Sequence, residues 1–250
     1  TSVIRFLRVC LRNLLRFHTR YFYLVKKHKQ LHSSRLIEKK NIFIITSCIN
    51  TRDSDKYTNH NSAHSPERRL DEVLLGLGSV HENYRDGYII FIESSRISSD
   101  DEMKIRATVD EYHNYSGAAA INVARQHYNK GVPQFAALIK FIEEGGGNYC
   151  ADVFHFLGAR YALRGTVADS VSHSGAYFLF YPKSRNVSTR YFFLKNLRLS
   201  EMLRPFRKTL YCAILGSSVE DVLYRFVREL RFVDKLGVCG KVNGVEMISE

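Results

Sequence analysis

Three short apolar runs constrain this chain more than anything else in it: Ile42-Phe-Ile-Ile-Thr46, Tyr88-Ile-Ile-Phe-Ile92 and Val153-Phe-His-Phe156. Each is too short for a core helix and rich in β-branched and aromatic residues, so each predicts a buried strand. Helical spacing fills the intervals. Ser65-Pro66-Glu67 is a helix start, with Ser as N-cap and Pro at the first helical position; Leu70, Val73, Leu74, Leu77 and Val80 follow on one face. Ser99-Asp-Asp-Glu102 opens a second helix, its acids complementing the helix dipole. Lys130-Gly131-Val132-Pro133 leads into a third, which runs through Glu144 and stops at Gly145-Gly146-Gly147. Ala118 to Val123 reads as a further strand, and Ala176 to Tyr181 and Thr189 to Leu194 as antiparallel strands. Residues 200–206 and 217–231 read as helices, and the tail as a short hairpin. Strand–helix alternation passing into mixed elements predicts an α/β fold, an open mixed sheet flanked by helices.

Ligands of such sheets bind beyond the carboxyl ends of the strands, which here are Ser47 to Asp55, Glu93 to Arg96 and Gly158 to Tyr161. The chain has no Walker loop, GxGxxG, GxSxG or HExxH, which argues against P-loop, dinucleotide-binding, α/β-hydrolase and zincin chemistry. The chemistry must come from polar residues at strand ends. Asp53-Ser54-Asp55 has the spacing that chelates a divalent cation, but it sits in a Ser/Asn-rich stretch where a solvated turn is the favoured reading. Glu93 could bond a base or ribose hydroxyl, or be an ordinary strand-end polar group. Lys130, ahead of a helix, could neutralise a phosphate together with that helix's N-terminus; the alternative is a solvated lysine. Arg160, between Gly158 and Tyr161, suits a diphosphate or a structural ion pair. Glu220-Asp221 opens a helix, where carboxylates are favoured anyway, and either could act as a general base. His113, His127, His155 and His173 lack metal-ligand spacing and read as structural.

The charge is unevenly placed. Of 37 Lys+Arg and 25 Asp+Glu, residues 1–40 hold eleven bases and one acid, a net of +10 out of +12. The nearly neutral remainder argues against a nucleic-acid-binding domain, whose docking face must be broadly cationic. Arg5, Arg8, Arg12, Arg16 and Arg20 lie opposite Ile4, Phe6, Leu7, Leu11, Leu14, Phe17, Tyr21 and Val25 on a helix expected over residues 2–26. That pattern suits an anionic membrane surface, with docking on the body and an organellar presequence as alternatives. Residues 26–40 read as a basic connector, so the chain divides into 1–40 and a single domain over 41–250. The chain opens on Thr1 rather than Met, as a fragment or processed form does. Five scattered Cys without a CxxC fit a reducing compartment, and no apolar run approaches membrane-spanning length.

The ordered series Ile42-Phe-Ile-Ile-Thr-Ser47, Glu67-Arg68-Arg69-Leu70, Ile89-Ile-Phe-Ile-Glu-Ser-Ser95, Asn129-Lys130-Gly131, Phe154-His-Phe-Leu-Gly-Ala-Arg-Tyr161, Ser218-Val-Glu-Asp-Val222 and Leu236-Gly-Val-Cys-Gly240 resembles a known family. It is similar to GT-A-type glycosyltransferase-like proteins of surface-polysaccharide and lipopolysaccharide gene clusters, the WavE-like group, also seen in large viruses. The resemblance implies a GT-A-like, Rossmann-like domain over 41–250 and a hexosyltransferase-type activity. It implies a nucleotide-sugar donor and a glycan or lipid-linked hydroxyl acceptor; the helix of residues 1–26, outside the resemblance, and the near-neutral body place the enzyme in the cytoplasm, peripheral at a membrane surface, with no nucleic acid as partner. The resemblance places Thr46, Ser47 and Glu93 near the nucleoside, Lys130 at the sugar-diphosphate, Arg160 and Tyr161 at the end of the fourth strand, and Glu220 as the base with Asp221 second. The resemblance leaves the cofactor open between none and a Mn²⁺ or Mg²⁺ ion. Two features depart from the pattern: Ala159 is an insertion in the Gly-Arg-Tyr element, and the end of the fourth strand has no acid where many GT-A enzymes carry DxD. Arg160 and Lys130 as a cationic substitute for the metal follow as an expectation. A non-catalytic nucleotide- or glycan-binding relative, or a basic membrane- or nucleic-acid-associated adaptor, are the rival readings.

Overall fold

The computed structural model describes residues 36–51, 64–127, 129–242 and 246–250. The helix expected over 2–26 and the triplet Asp53-Ser54-Asp55 lie outside these residues.

Strand β1 (Ile37–Ser47) is followed by α1 (Pro66–Asn83), β2 (Tyr88–Glu93), α2 (Ser99–Arg106) and β3 (Glu111–Asn114). Then come α3 (Ala119–Arg125), α4 (Gly131–Gly145), β4 (Tyr149–Gly158), β5 (Ala162–Leu163), α5 (Val167–Ser170) and β6 (Gly175–Tyr181). The chain ends with β7 (Asn186–Val187), β8 (Tyr191–Lys195), α6 (Leu203–Ile214), α7 (Val219–Phe226), β9 (Leu230–Val233), β10 (Val238–Val242) and β11 (Glu246–Ser249). The main sheet runs β3-β2-β1-β4-β8-β6-β7, with β9 beside β6. Its first four strands are mutually parallel, whereas β8 is antiparallel to both β4 and β6. The α/β class, an open mixed sheet flanked by helices, is therefore observed. A small antiparallel sheet, β11-β10-β5, packs beside it.

The unbroken apolar runs have a direct cause. Alternate residues of a strand face opposite sides, and here both sides are covered. Ile42, Ile44, Ile90, Ile92, Phe154 and Phe156 face a core closed by α3, α4, α6 and α7. Phe43, Ile45, Ile89, Phe91, Val153 and Leu157 face a second core, against α1 and the β5–β10 region. Among the described residues no helix is long and apolar enough to cross a membrane.

Two local expectations fail in whole or part. Ala118 to Val123 forms helix α3, and the strand beside β2 is the polar segment Glu111–Asn114. The helix expected over 200–206 is present, as a 3₁₀ turn, Leu199–Met202, passing into α6. The helix expected over 217–231 stops at Phe226; Glu229 then takes a positive φ of 51°, and Leu230–Val233 pairs parallel to β6.

The order of strands matters for function. From β1 the chain moves outward through β2 to β3, then returns to place β4 on the other side of β1. That reversal opens a crevice between the carboxyl ends of β1 and β4, where ligands of open α/β sheets bind.

Candidate functional site

A cavity of about 910 Å³ occupies that crevice, lined by Thr46 and Ser47 from β1, Gly158 to Tyr161 after β4, Arg69 of α1, and Asn129 to Gly131 at the start of α4. Ser218, Val219 and Glu220 at the start of α7, with Ser188 to Arg190, also line it. The volume lies within the range of small-molecule sites, roughly 300–1,000 Å³. Of the residues singled out above, Thr46, Ser47, Lys130, Arg160, Tyr161 and Glu220 meet here.

Glu93 and Asp221 are not on the wall. Glu93 is fully buried beneath it. There its Oε1 accepts from the backbone N–H of Ile49 (3.2 Å) and Ser95 (2.8 Å) and from the Ser95 hydroxyl (2.5 Å), tying the loops after β1 and β2 together. Burial pushes its carboxyl pKa up against the opposing pull of those donors. Asp221 lies in the first turn of α7, its N–H reaching the Ser218 carbonyl at 3.3 Å.

The wall near α1 and α4 is cationic. Arg69, only 9% exposed, gives Nε and Nη2 to the Cys48 carbonyl (3.0 and 2.6 Å). Burial, and then the neighbouring Arg160, lower its proton affinity. Lys130 is lowered by the same causes in the same order, burial first and then Arg160 and Arg69. The three cations thus crowd one region. Arg160 has one carboxylate nearby, Glu72 Oε2 at 3.8 Å, and that acid also meets His64 Nδ1 at 2.8 Å.

Backbone packing holds these groups. The Ala159 N–H bonds the Thr46 carbonyl at 3.0 Å, which lays the Gly-Ala-Arg-Tyr turn against the end of β1. The turn also presses on α1: a Cβ on Gly76 would come within 2.7 Å of the Ala159 oxygen. Asn129 accepts from Gly131 N–H (2.9 Å) and donates to Ser217 O (2.8 Å), joining the α4 start to the loop before α7. Gln134 of α4 donates to Thr46 Oγ1 at 3.2 Å.

Glu220 lines the same cavity from the start of α7. It accepts from Thr189 Oγ1 (3.0 Å) and from the hydroxyl of Ser218, the helix N-cap. Further along the rim, Glu250 accepts from Tyr181, Ser188 and Arg190.

Arg69 was not singled out among the candidate residues above. The signal was present: Arg69, Val73, Gly76 and Val80 form one buried stripe of α1, and an arginine on an apolar stripe needs a reason to be there.

Among the described residues no group of three or more His, Cys, Asp and Glu could hold a metal ion. The only carboxylate on the described cavity wall is Glu220, so the described residues by themselves do not fit a divalent cation at the end of β4.

No family model and no curated protein matches the chain. Several solved structures share part of its fold. The galactosyltransferase LgtC, solved with donor and acceptor sugar analogs, aligns at a TM-score of 0.44 and 10% identity over 76% of this chain and 72% of that one. The glycosyltransferase GlyE of Streptococcus pneumoniae TIGR4 aligns at 0.48 and 8% over 78% and 45%. The mannosyltransferase Ktr4p of S. cerevisiae aligns at 0.43 and 9% over 90% and 78%. Likeness at this level bears on neither activity nor substrate, so function is read from the chain's own site.

Proposed function

We propose that the protein is a glycosyltransferase of GT-A-like fold that moves a sugar from a nucleotide-sugar donor to a hydroxyl acceptor. One observation carries the reading: Arg69, Lys130, Arg160 and Glu220 all line one cavity at the β1/β4 crevice. The cations suit a leaving diphosphate. In the transfer the bond from the anomeric carbon to the phosphate oxygen breaks, and its electron pair leaves on the diphosphate. The acceptor oxygen bonds the anomeric carbon, and its proton goes to Glu220. Thr46 and Ser47, at the end of β1, are assigned to the nucleoside side, and Tyr161 to the donor side. The Arg-rich stripe of residues 1–26 supports a lipid-linked or surface-glycan acceptor met at an anionic membrane.

The test is a screen of the full chain against UDP-, GDP-, CMP- and dTDP-sugars by thermal shift, followed by donor hydrolysis with the stabilising compound. Stabilisation by at least one donor is expected, with hydrolysis lost in Glu220→Gln while donor affinity stays within about threefold. General-base loss corresponds to roughly 10²–10⁴-fold in rate. Stabilisation by none would sink the assignment; stabilisation without turnover would make the protein a non-catalytic binder. Sedimentation with vesicles containing phosphatidylserine, compared with neutral vesicles, tests the membrane assignment.

A further inference from the structure

Arg69 poses a question that the transferase reading alone does not answer. A guanidinium this buried is unfavourable unless it is paired, and its one strong partner is a neutral carbonyl. Arg160 and Lys130, its cationic neighbours in the cavity wall, repel it, while Glu93 and Glu72 attract it more weakly than burial and Arg160 disfavour it. No salt bridge to Arg69 or Lys130 is formed among the described residues, and Arg160 has only its 3.8 Å contact with a Glu72 already engaged by His64. The Cys48 carbonyl and the more distant Glu93 and Glu72 offset part of the cost of this burial, but no carboxylate among the described residues closes a salt bridge with Arg69. Such an arrangement is what a site looks like when its counter-charge arrives with the ligand.

The pairing with Cys48 fixes how Arg69 can act. Nε and Nη2 are committed to the carbonyl, which locks the plane of the guanidinium against the end of β1. The uncommitted edge belongs to a residue that lines the cavity, as Lys130 and Arg160 do. Two planar guanidiniums and an ammonium match the several oxygens of a diphosphate, and their charge balances that group. A divalent ion would have to enter a wall whose only described carboxylate, Glu220, is bonded to Thr189 and Ser218.

We infer that Arg69, Lys130 and Arg160 form a diphosphate subsite that performs the charge neutralisation a divalent metal would otherwise supply, with Arg69 as its fixed element. The inference rests on the transferase reading for the ligand that carries the diphosphate, but it concerns these residues themselves.

Its test is equilibrium binding by the full chain, read by calorimetry, so no turnover is needed. UDP, GDP, CDP and dTDP, their monophosphates and inorganic pyrophosphate are titrated in EDTA and again in Mn²⁺. At least one nucleoside diphosphate should bind in EDTA with an affinity within about threefold of that in Mn²⁺, and tighter than its monophosphate. Arg69→Lys, which keeps the charge and loses the fork, should reduce that preference about tenfold, one lost charge-assisted contact. Lys130→Gln and Arg160→Gln should do the same, and they supply the answer if Arg69→Lys fails to fold by circular dichroism. Binding that disappears in EDTA and returns with Mn²⁺ overturns the inference and leaves the transferase reading standing. So does a diphosphate preference that survives in every folded variant. Failure of every diphosphate and every nucleotide-sugar to bind in both buffers removes the transferase reading as well.

Discussion

Gly131→Ala tests the joint between the starts of α4 and α7, which both line the cavity. A Cβ at Gly131 would lie 2.4 Å from Val219 Cγ1, 2.9 Å from Cγ2 and 3.2 Å from Asn129 Oδ1. Val219 is 3% exposed and opens α7, so there is little empty space for it to enter. Both methyls lie on the approach path and χ1 of a β-branched residue in a helix is stiff, so rotation cannot clear them. The start of α7 must instead retreat by about 1 Å to reach ordinary carbon–carbon contact. Overpacking of this kind costs about 1–3 kcal/mol, and removing a helical glycine returns at most about 1 kcal/mol. The single variant should therefore lose about 1–2 kcal/mol. Val219→Ala alone should lose about 1.5 kcal/mol, for two buried methyl groups at about 0.8 each. In the Val219→Ala background the obstruction is gone, so Gly131→Ala should become neutral or stabilising. The assay is urea denaturation of the four proteins by circular dichroism, and the diagnostic is the change of sign between backgrounds, a coupling of about 2 kcal/mol. Equal losses in both backgrounds would refute the packing argument. Lys130 and Glu220 flank the two joined residues, so donor affinity should fall in Gly131→Ala and recover in the double variant.

Three further outcomes follow from buried polar groups. Burial raises the folded-state pKa of Glu93, so its stability contribution is full below the unfolded value and is lost as pH rises through the folded one. Glu93→Gln should flatten that decline in denaturation measured from pH 4 to 8, whereas Glu93→Ala should destabilise at every pH, because Ile49 and Ser95 lose their acceptor. His155 has the opposite slope: fully buried, with its pKa pushed down to about 3, it stays neutral while the unfolded chain takes up a proton below about 6.5. Stability should fall by up to about 1.4 kcal/mol per pH unit between those limits, and His155→Gln should remove most of that slope; an unchanged acid profile would count against it. Glu250→Gln weakens the clasp on Tyr181, Ser188 and Arg190 and should cost about 1–2 kcal/mol, because Arg190 is 30% exposed and part of the attraction is screened. A melting temperature unmoved by that change would show that the β10–β11 end is held by other contacts.

The strands at the centre of the sheet were legible because burial on both faces leaves no room for polar residues, and that leaves a mark on the sequence. The edge was illegible for the converse reason. β3, Glu111-Tyr-His-Asn114, pairs only with β2, and its side chains are partly in solvent, so nothing forces an apolar pattern on it. It is held instead by pairing to β2, by the Asp110 carboxylate accepting from Ile89 N–H at 2.8 Å, and by Tyr88 and Tyr149 hydrogen bonds to Glu111 at 2.7 Å. The error at Ala118 to Val123 has the same root. A short apolar run suits either a strand or one face of a helix, and its three alanines and its packing against α4 favour the helix.

The site follows a different logic, because a residue can be chemically important and locally unremarkable. Lys130, Arg160 and Glu220 sit at element boundaries, where sequence reasoning looks for function, and all three do line the cavity. Glu93 also sits at a boundary, but its neighbours turn the side chain inward; chain position says where a Cα lies and little about which way a carboxylate points. Arg69 is the opposite case. Following Arg68 in the first turn of a helix, it reads as one of a pair of solvated cations, yet the helical period separates them. Arg68 keeps a 52% exposed side chain, while Arg69 turns with Val73 and Val80 into the protein. Solvation would have cost nothing, and burial beside two other cations costs stability. Its two hydrogen bonds satisfy the Cys48 carbonyl, but they leave the charge without a salt bridge, and an unpaired buried cation on a cavity wall is what an anion site supplies.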